Sequence, residues 1–442
     1  MRGRVTTAGE ATAGPAEPVL RGSPARSSPP AVQPLRTGLA VAGIVLVAAG
    51  TQVIPAVPLS AVEVPTVAAA LPAVPFELRI QANRERVAAA VAQAPPGTAG
   101  VFQQILDEGR QLLHFDPEAN RGRGSWAELV GGITERTRTV GVLVAGGAAF
   151  ITGDNFTRYY ERAAGLVEEA GGALAMVVWA AGTFPKGWIQ GALTHYDAPL
   201  GRALALFSHE LRAEIARQAG PDAPVRLVVV GHSYGGAVVG TAERYGLDAD
   251  AVLHIASVGV GEVRDPYDYP EPERPRYSMT APGDLIGYVQ GALTPPGVGH
   301  GPDPDEFRCV RSLPTGHLPG DPTARDELGE ALGDRAGGPI RGIASHSDVF
   351  IHHSDAWWQI YRVLVGPAPP PPACPPPPDP APAKLRVLPL AVPQVTTHSQ
   401  CRTGGGWRAG GRKRRRPAGA GRIGRIGRIG RIGAQDPPAR PS

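Results

Sequence analysis

Residues 228–236 read "VVVGHSYGG": three valines, a glycine, then His232, Ser233, Tyr234 and two more glycines. A β-branched run feeding a glycine predicts a strand that ends abruptly. The run "GAVVGTAERYG" that follows has the composition of a helix closed by Gly246. Gly231-His232-Ser233-Tyr234-Gly235 thus fits G-x-S-x-G in a strand–turn–helix setting, the setting that a nucleophile elbow requires. Small residues two before and two after the serine let strand and helix approach. The hydroxyl is then presented at a helix N-terminus, where free amides and the helix dipole favour negative charge. A dinucleotide-binding glycine turn is the competing reading. It fails because G-x-G-x-x-G would need glycine where Ser233 stands.

Working outward, apolar runs alternate with helical ones. "RQLLHFD" (110–116) and "SWAELVGG" (125–132) read as a strand pair across the turn-rich "PEANRGRG". "TVGVLVAGG", "ALAMVVWAAG", "VRLVVVG", "DAVLHIASVG" and "PRYSMTAPGD" read as further strands. Between and around them, "FELRIQANRERVAAAVAQA", "GVFQQILDEGR", "NFTRYYERAAGLVEEAG", the long "DAPLGRALALFSHELRAEIARQAG" and "SDAWWQIYRVLVG" read as helices, the last capped by Ser354. Such alternation predicts one α/β domain over 75–366: a mostly parallel sheet with helices on both faces. Between 285 and 340 glycine and proline are frequent, which predicts loops over one sheet edge, with only "TARDELGEALGD" helical.

A serine hydroxyl needs a base. Behind this kind of elbow the partners follow in the order serine, acid, histidine. "IRGIASHSDVFIHHSDAWW" offers His346, His352 and His353 after the last predicted strand. His346 directly follows a short strand-like run and is the chosen base; the other two sit against the next helix. The acid must orient the imidazole. Asp284, on a Pro-Gly turn just past a strand, is preferred to Asp265 and Asp268. The oxyanion donors are assigned to the amides of Tyr234 and of Gly147 or Ala148 after "GVLVAGG". His232 is read as packing or pocket wall. Trp179, Phe184 and Trp188 follow a strand end and are candidates to wall an acyl pocket.

The chain has 442 residues and a net charge of +4, but the basic excess lies in its flanks and the body is acidic. That excludes a nucleic-acid footprint on the body. Residues 1–36 are rich in Pro, Ser and Arg, the signature of a disordered basic N-terminus. Residues 37–57 open an uncharged stretch behind five arginines and predict a signal anchor or a cleaved signal peptide, with the body exported. Residues 367–442 run from polyproline through "GRKRRRP" to "GRIGRIGRIGRIG", and predict a disordered tail without a core. Cys309, Cys374 and Cys401 cannot make a disulfide framework, two of them lying in that tail, and no C-x-x-C suggests a metal site. No metal or cofactor is implied.

From about Asn83 to Gly366 the chain resembles a family of actinobacterial α/β hydrolases known as a domain of unknown function. The resemblance rests on "RQLLHFDPEANRGR", "VGVLVAGG", the following "GDNF", "VVWAAGTFP", "VVVGHSYGG", "LDADAVLHIASVGVG", "TAPGDLI" and "SHSDVF". It implies the α/β-hydrolase fold with Ser233, Asp284 and His346 as triad positions. The chain departs from the pattern at the oxyanion loop, where Ala145-Gly146-Gly147-Ala148 replaces the Pro-Gly-Thr-Gly of relatives. The expectation is a serine hydrolase of carboxylesterase or lipase-like type acting on a small-molecule or lipid ester. The rivals are a non-catalytic binding or scaffold protein of the cell envelope, and a peptidase or acyltransferase sharing the nucleophile.

Overall fold

The apolar runs become the centre of one sheet. A computed structural model describes residues 74–292, 294–326 and 329–375. The strands are β1 (Gln111–Asp116), β2 (Ser125–Val130), β3 (Thr139–Val144), β4 (Leu174–Ala180), β5 (Arg226–His232), β6 (Ala251–Ile255), β7 (Arg276–Met279) and β8 (Val310–Ser312). They lie in the order β1-β2-β4-β3-β5-β6-β7-β8. Pairing is antiparallel for β1–β2 and β2–β4 and parallel for the rest. This is the α/β-hydrolase fold. Every residue of β2, β3 and β4 is buried, so both faces of the sheet are covered. That is why these strands read as continuous apolar runs rather than alternating ones.

The covering helices are α1 (Phe76–Val91), α2 (Pro96–Asp107), α3 (Asn155–Glu169), α4 (Asp197–Ala219), α5 (Tyr234–Arg244) and α6 (Asp355–Val365). The Ser354 hydroxyl accepts from the Trp357 amide and caps α6, as the sequence predicts. α4 and α5 pack on each other, α3 on β2 and β4, and α6 on β3. Two buried carboxylates tie down the flanks of the sheet, each meeting arginine: Glu128 with Arg110, and Glu243 with Arg274 and Arg276.

Two expectations are corrected, and one short strand is added. Among its described residues, "TARDELGEALGD" forms no α-helix. Gly329 and Gly333 take positive φ (76° and 53°), and the chain folds back through an Arg325–Ala331 bridge instead. The run before His346 is not a strand; His346 lies in a one-turn helix, Ser345–Asp348. β8 was not foreseen, because a three-residue strand on an edge carries too little pattern.

The cysteine reading and the tail boundary also change. Cys309 and Cys374 form a disulfide across 65 residues, with Cα atoms 5.1 Å apart. The segment after Gly366 runs along the body as far as Pro375. Its carbonyls accept from Arg311 (Pro370 O, 2.5 Å), Tyr267 (Cys374 O, 2.9 Å) and Arg308 (Pro375 O, 2.8 Å). A polyproline run buries no core, but its unpaired carbonyls remain good acceptors, and this is how it is held. Among the described residues no helix is long and apolar enough to cross a membrane. The predicted segment 37–57, the N-terminus before it and the basic tail lie outside the described residues.

Candidate active site

Ser233 caps α5 with φ 56° and ψ −123°, a strained conformation for any residue with a side chain. The turn is over-determined by close approach. A Cβ on Gly231 would lie 2.6 Å from the Gly236 Cα, and one on Gly235 would lie 2.3 Å from the Val144 carbonyl oxygen. Only glycine lets β5, α5 and β3 meet this closely. The Ser233 hydroxyl has no hydrogen-bond partner among the described residues and lines a cavity of about 270 Å³. His346 lines the same cavity. No hydrogen bond joins the two directly.

Asp284 is buried and caps the short 3₁₀ turn Leu285–Tyr288, accepting from the Ile286 amide at 2.9 Å. Its carboxylate also accepts from His346 Nδ1, at 2.9 and 3.2 Å to its two oxygens. The carboxylate cannot donate, so Nδ1 carries a proton, and in the neutral ring Nε2 is then the acceptor. The rival residues are engaged elsewhere. Asp265 caps the turn Pro266–Asp268 and pairs with Arg308 at 2.7 Å; Asp268 accepts from the Arg264 amide at 2.7 Å. The rings of His352 and His353 stack on each other at 3.9 Å, and neither lines the cavity. With Glu169 they form the group of three metal-ligating side chains found among the described residues, its atoms within 4.8 Å and exposed.

The loop after β3 separates its amides. Gly146 N–H donates to the Tyr159 hydroxyl at 2.6 Å, and Ala148 N–H to the Pro185 carbonyl at 2.8 Å. Gly147 N–H has no acceptor among the described residues, nor has Tyr234 N–H at the start of α5. Both residues line the cavity. Of the two open choices, Gly147 therefore has the available donor and Ala148 does not.

His232 does more than fill space. Arg162, which can only donate, lies 3.2 Å from its Nδ1, so that nitrogen is an acceptor. The Tyr159 hydroxyl donates to the same nitrogen at 2.7 Å while receiving Gly146 N–H. Nε2–H then donates to the His346 carbonyl at 3.0 Å. Burial holds the His232 pKa well below the usual histidine range, with the Arg162 and His346 charges adding to it. One neutral imidazole thus ties the loop after β3 to the turn carrying His346.

Two more residues were not read from sequence. His300 lines the cavity and pairs with Asp197, which the Tyr234 hydroxyl also contacts. Asp197 stands in the first turn of α4, where an acidic residue is ordinary, and His300 lies between 285 and 340, where glycine and proline are frequent. The aromatic pocket wall is corrected. Trp179 and Phe184 are buried in the core, their rings 6.2 Å apart, and do not line the cavity; the side chain of Trp188 lies outside the description. The lining is instead small and aliphatic, including Ala192, Val258, Ile286, Val289 and Val298.

No family model matches the chain, and no curated protein does. The family reading drawn from the sequence therefore stands as a resemblance. Among solved structures the chain is similar to a siderophore hydrolase from Aspergillus fumigatus: 13% identity over 32% of this chain and 40% of that one, TM-score 0.22. It is also similar to a poly(3-hydroxybutyrate) depolymerase from Bordetella parapertussis, with 16% identity, 45% and 74% coverage and TM-score 0.28. A third is an α/β serine hydrolase without a lid from Xanthomonas campestris, with 17% identity, 46% and 84% coverage and TM-score 0.26. The fold assignment rests on strand order and the elbow, not on these likenesses.

Proposed function

We propose that the protein is a serine hydrolase that cleaves neutral carboxylic esters. One observation carries this reading: Asp284 holds His346 Nδ1 at 2.9 Å, leaving Nε2 free in the cavity that Ser233 lines. Ser233 Oγ attacks the ester carbonyl while His346 Nε2 takes its proton. The oxyanion is held by the amides of Tyr234 and Gly147, aided by the N-terminus of α5. Collapse breaks the ester C–O bond, and the alcohol leaves with the proton from His346. A water, deprotonated by His346, then attacks the acyl-enzyme and releases the acid and Ser233.

Among the described residues the cavity lining has no carboxylate, lysine or arginine and is mostly small and aliphatic, which favours an uncharged acyl or alcohol group. The cavity volume of about 270 Å³ suits a short aliphatic acyl or alcohol chain. We further propose that the body is exported; the Cys309–Cys374 disulfide, a bond that persists in oxidising compartments, supports this. Cell fractionation with redox-state mapping of Cys309 tests export. Hydrolysis of p-nitrophenyl esters from acetate to palmitate tests the activity. Turnover lost in His346→Ala and reduced in Asp284→Asn supports the triad. Turnover kept in His346→Ala but lost in His352→Ala or His353→Ala moves the base.

A further inference from the structure

One wall of the cavity is shared with a second cleft. Residues Thr294, Val298 and Gly299 line the cavity on one side and a larger outer cleft of about 1020 Å³ on the other. The cleft is charged, with Arg264, Glu306 and Arg308 in its lining. The wall is built from Pro295-Pro296-Gly297-Val298-Gly299, which has no bulky side chain to anchor it. Main-chain bonds stitch it to the facing segment: Gly299 N–H to the Ala192 carbonyl at 2.9 Å and Thr194 N–H to the Gly297 carbonyl at 3.1 Å. That facing segment also lines the cavity, through Gly191 and Ala192. At the end of the wall stands His300, whose side chain is 3% exposed.

Both ring nitrogens of His300 meet acceptors. Nδ1 lies 2.7 Å from Asp197 Oδ2, and Nε2 lies 2.6 Å from the Gly191 carbonyl. The Gly191 carbonyl has no proton to give, and neither has Asp197 in its carboxylate form, whose other oxygen receives the Tyr234 hydroxyl. A neutral imidazole carries one N–H and would leave one of these buried acceptors facing a lone pair. Only the imidazolium satisfies both.

We propose that His300 is held as a buried imidazolium between Asp197 and the Gly191 carbonyl, and that as a positioning residue it closes the wall shared with the outer cleft and so limits the chain length admitted there. This rests on the proposed ester hydrolysis only for its biological meaning; protonation and wall closure are properties of the chain itself. The pair joins three parts: the wall through His300, the facing segment through Gly191, and α5 through Tyr234, whose amide is the proposed oxyanion donor. The other titratable groups facing His300 are the Tyr234 phenol, ring to ring at 5.3 Å, and more distantly Glu262. Burial alone would lower the His300 pKa, but the hydrogen bond and charge of Asp197 and the Gly191 carbonyl outweigh it and hold the pKa above the usual value. Burial, and then Asp197, raise the Tyr234 pKa, so the phenol stays a donor.

The test uses the full chain labelled with ¹⁵N-histidine, carrying Ser233→Ala so that turnover plays no part. At pH 7.5 the His300 ring is expected to show two protonated nitrogens; a single protonated nitrogen overturns the proposal. In the same samples, affinities for 1-butanol and 1-decanol are compared with and without His300→Ala. The expected result is a gain of about tenfold for decanol with butanol changed less than about threefold, the scale on which apolar pockets discriminate. Equal changes for both alcohols, or none, overturn it. Should His300→Ala unfold the chain, His300→Gln takes its place, since one carboxamide cannot serve both acceptors. The alcohol arm fails without touching the ester reading, and absent ester turnover in the wild type fails that reading without touching His300.

Discussion

His232 donates its Nε2–H to the main-chain carbonyl of His346 at 3.0 Å, so the residue before the elbow serine supports the proposed base through its backbone. Its Nδ1 receives Tyr159, which in turn receives Gly146 N–H. Removing this imidazole frees both the turn at 345–348 and the loop after β3. His232→Phe is expected to lower kcat by about 10–100-fold with KM little changed, the scale on which slight misplacement acts. Because His232 stays neutral, the acidic limb of the pH profile should remain a single ionisation. Steady-state kinetics across pH check both; an unchanged kcat shows that the link has no catalytic role.

The loop after β3 separates a backbone role from a side-chain role. A Cβ on Gly147 would meet nothing nearer than 3.6 Å, so Gly147→Ala should retain most activity. Gly147→Pro removes the amide itself. It is expected to lose about 10²–10³ in kcat, as removal of an oxyanion donor does elsewhere. Equal effects of the two substitutions, measured with thermal melts to confirm folding, assign the second donor elsewhere.

Stability should fall on the acid side before the carboxylates titrate. His254 is buried with neither ring nitrogen hydrogen-bonded, and burial, the dominant cause, lowers its pKa to about 4. The unfolded chain protonates it near 6.5, so between these values the unfolded state binds more protons and stability drops as pH falls. The loss attributable to His254 is about 3 kcal/mol by pH 4. His300 has the opposite sign: its contribution is complete below about 6.5 and is lost as pH rises through its raised folded value. Melting curves from pH 4 to 9 for wild type and His254→Leu check the first; an identical acid slope in both contradicts it.

The chain between Gly366 and Pro375 belongs to the body. Truncation after Asp379 should leave Tm unchanged, whereas truncation after Gly366 removes Cys374 and three hydrogen bonds. The second is expected to cost about 2–4 kcal/mol, the usual worth of a disulfide closing a loop of this size. Equal Tm for the two truncations contradicts this.

The centre of the fold was legible because its physics is local. β3, β4 and β5 are buried on both faces, so each reads as an apolar run, and Ser233 sits in a turn that only flanking glycines allow. Asp284 and His346 were found by chain order, and the structure brings them together at 2.9 Å. What sequence did not disclose depends on contacts between distant residues. Asp197 and His300 are 103 positions apart, and His232 meets the His346 backbone across 114. The segment 294–299 makes its bonds mainly through main-chain atoms, which leave no residue pattern. The docked tail escaped for the same reason: proline carbonyls look alike whether solvated or bound.

The central claim is that Ser233 is an activated nucleophile. The most direct measurement is labelling of the full chain by a fluorophosphonate, with the modified residue located by peptide mass spectrometry. One adduct is expected, on Ser233, its rate falling by about 10³-fold or more in His346→Ala because an unassisted serine is a poor nucleophile. An unlabelled Ser233 in a folded wild-type chain, or a rate indifferent to His346→Ala, contradicts it.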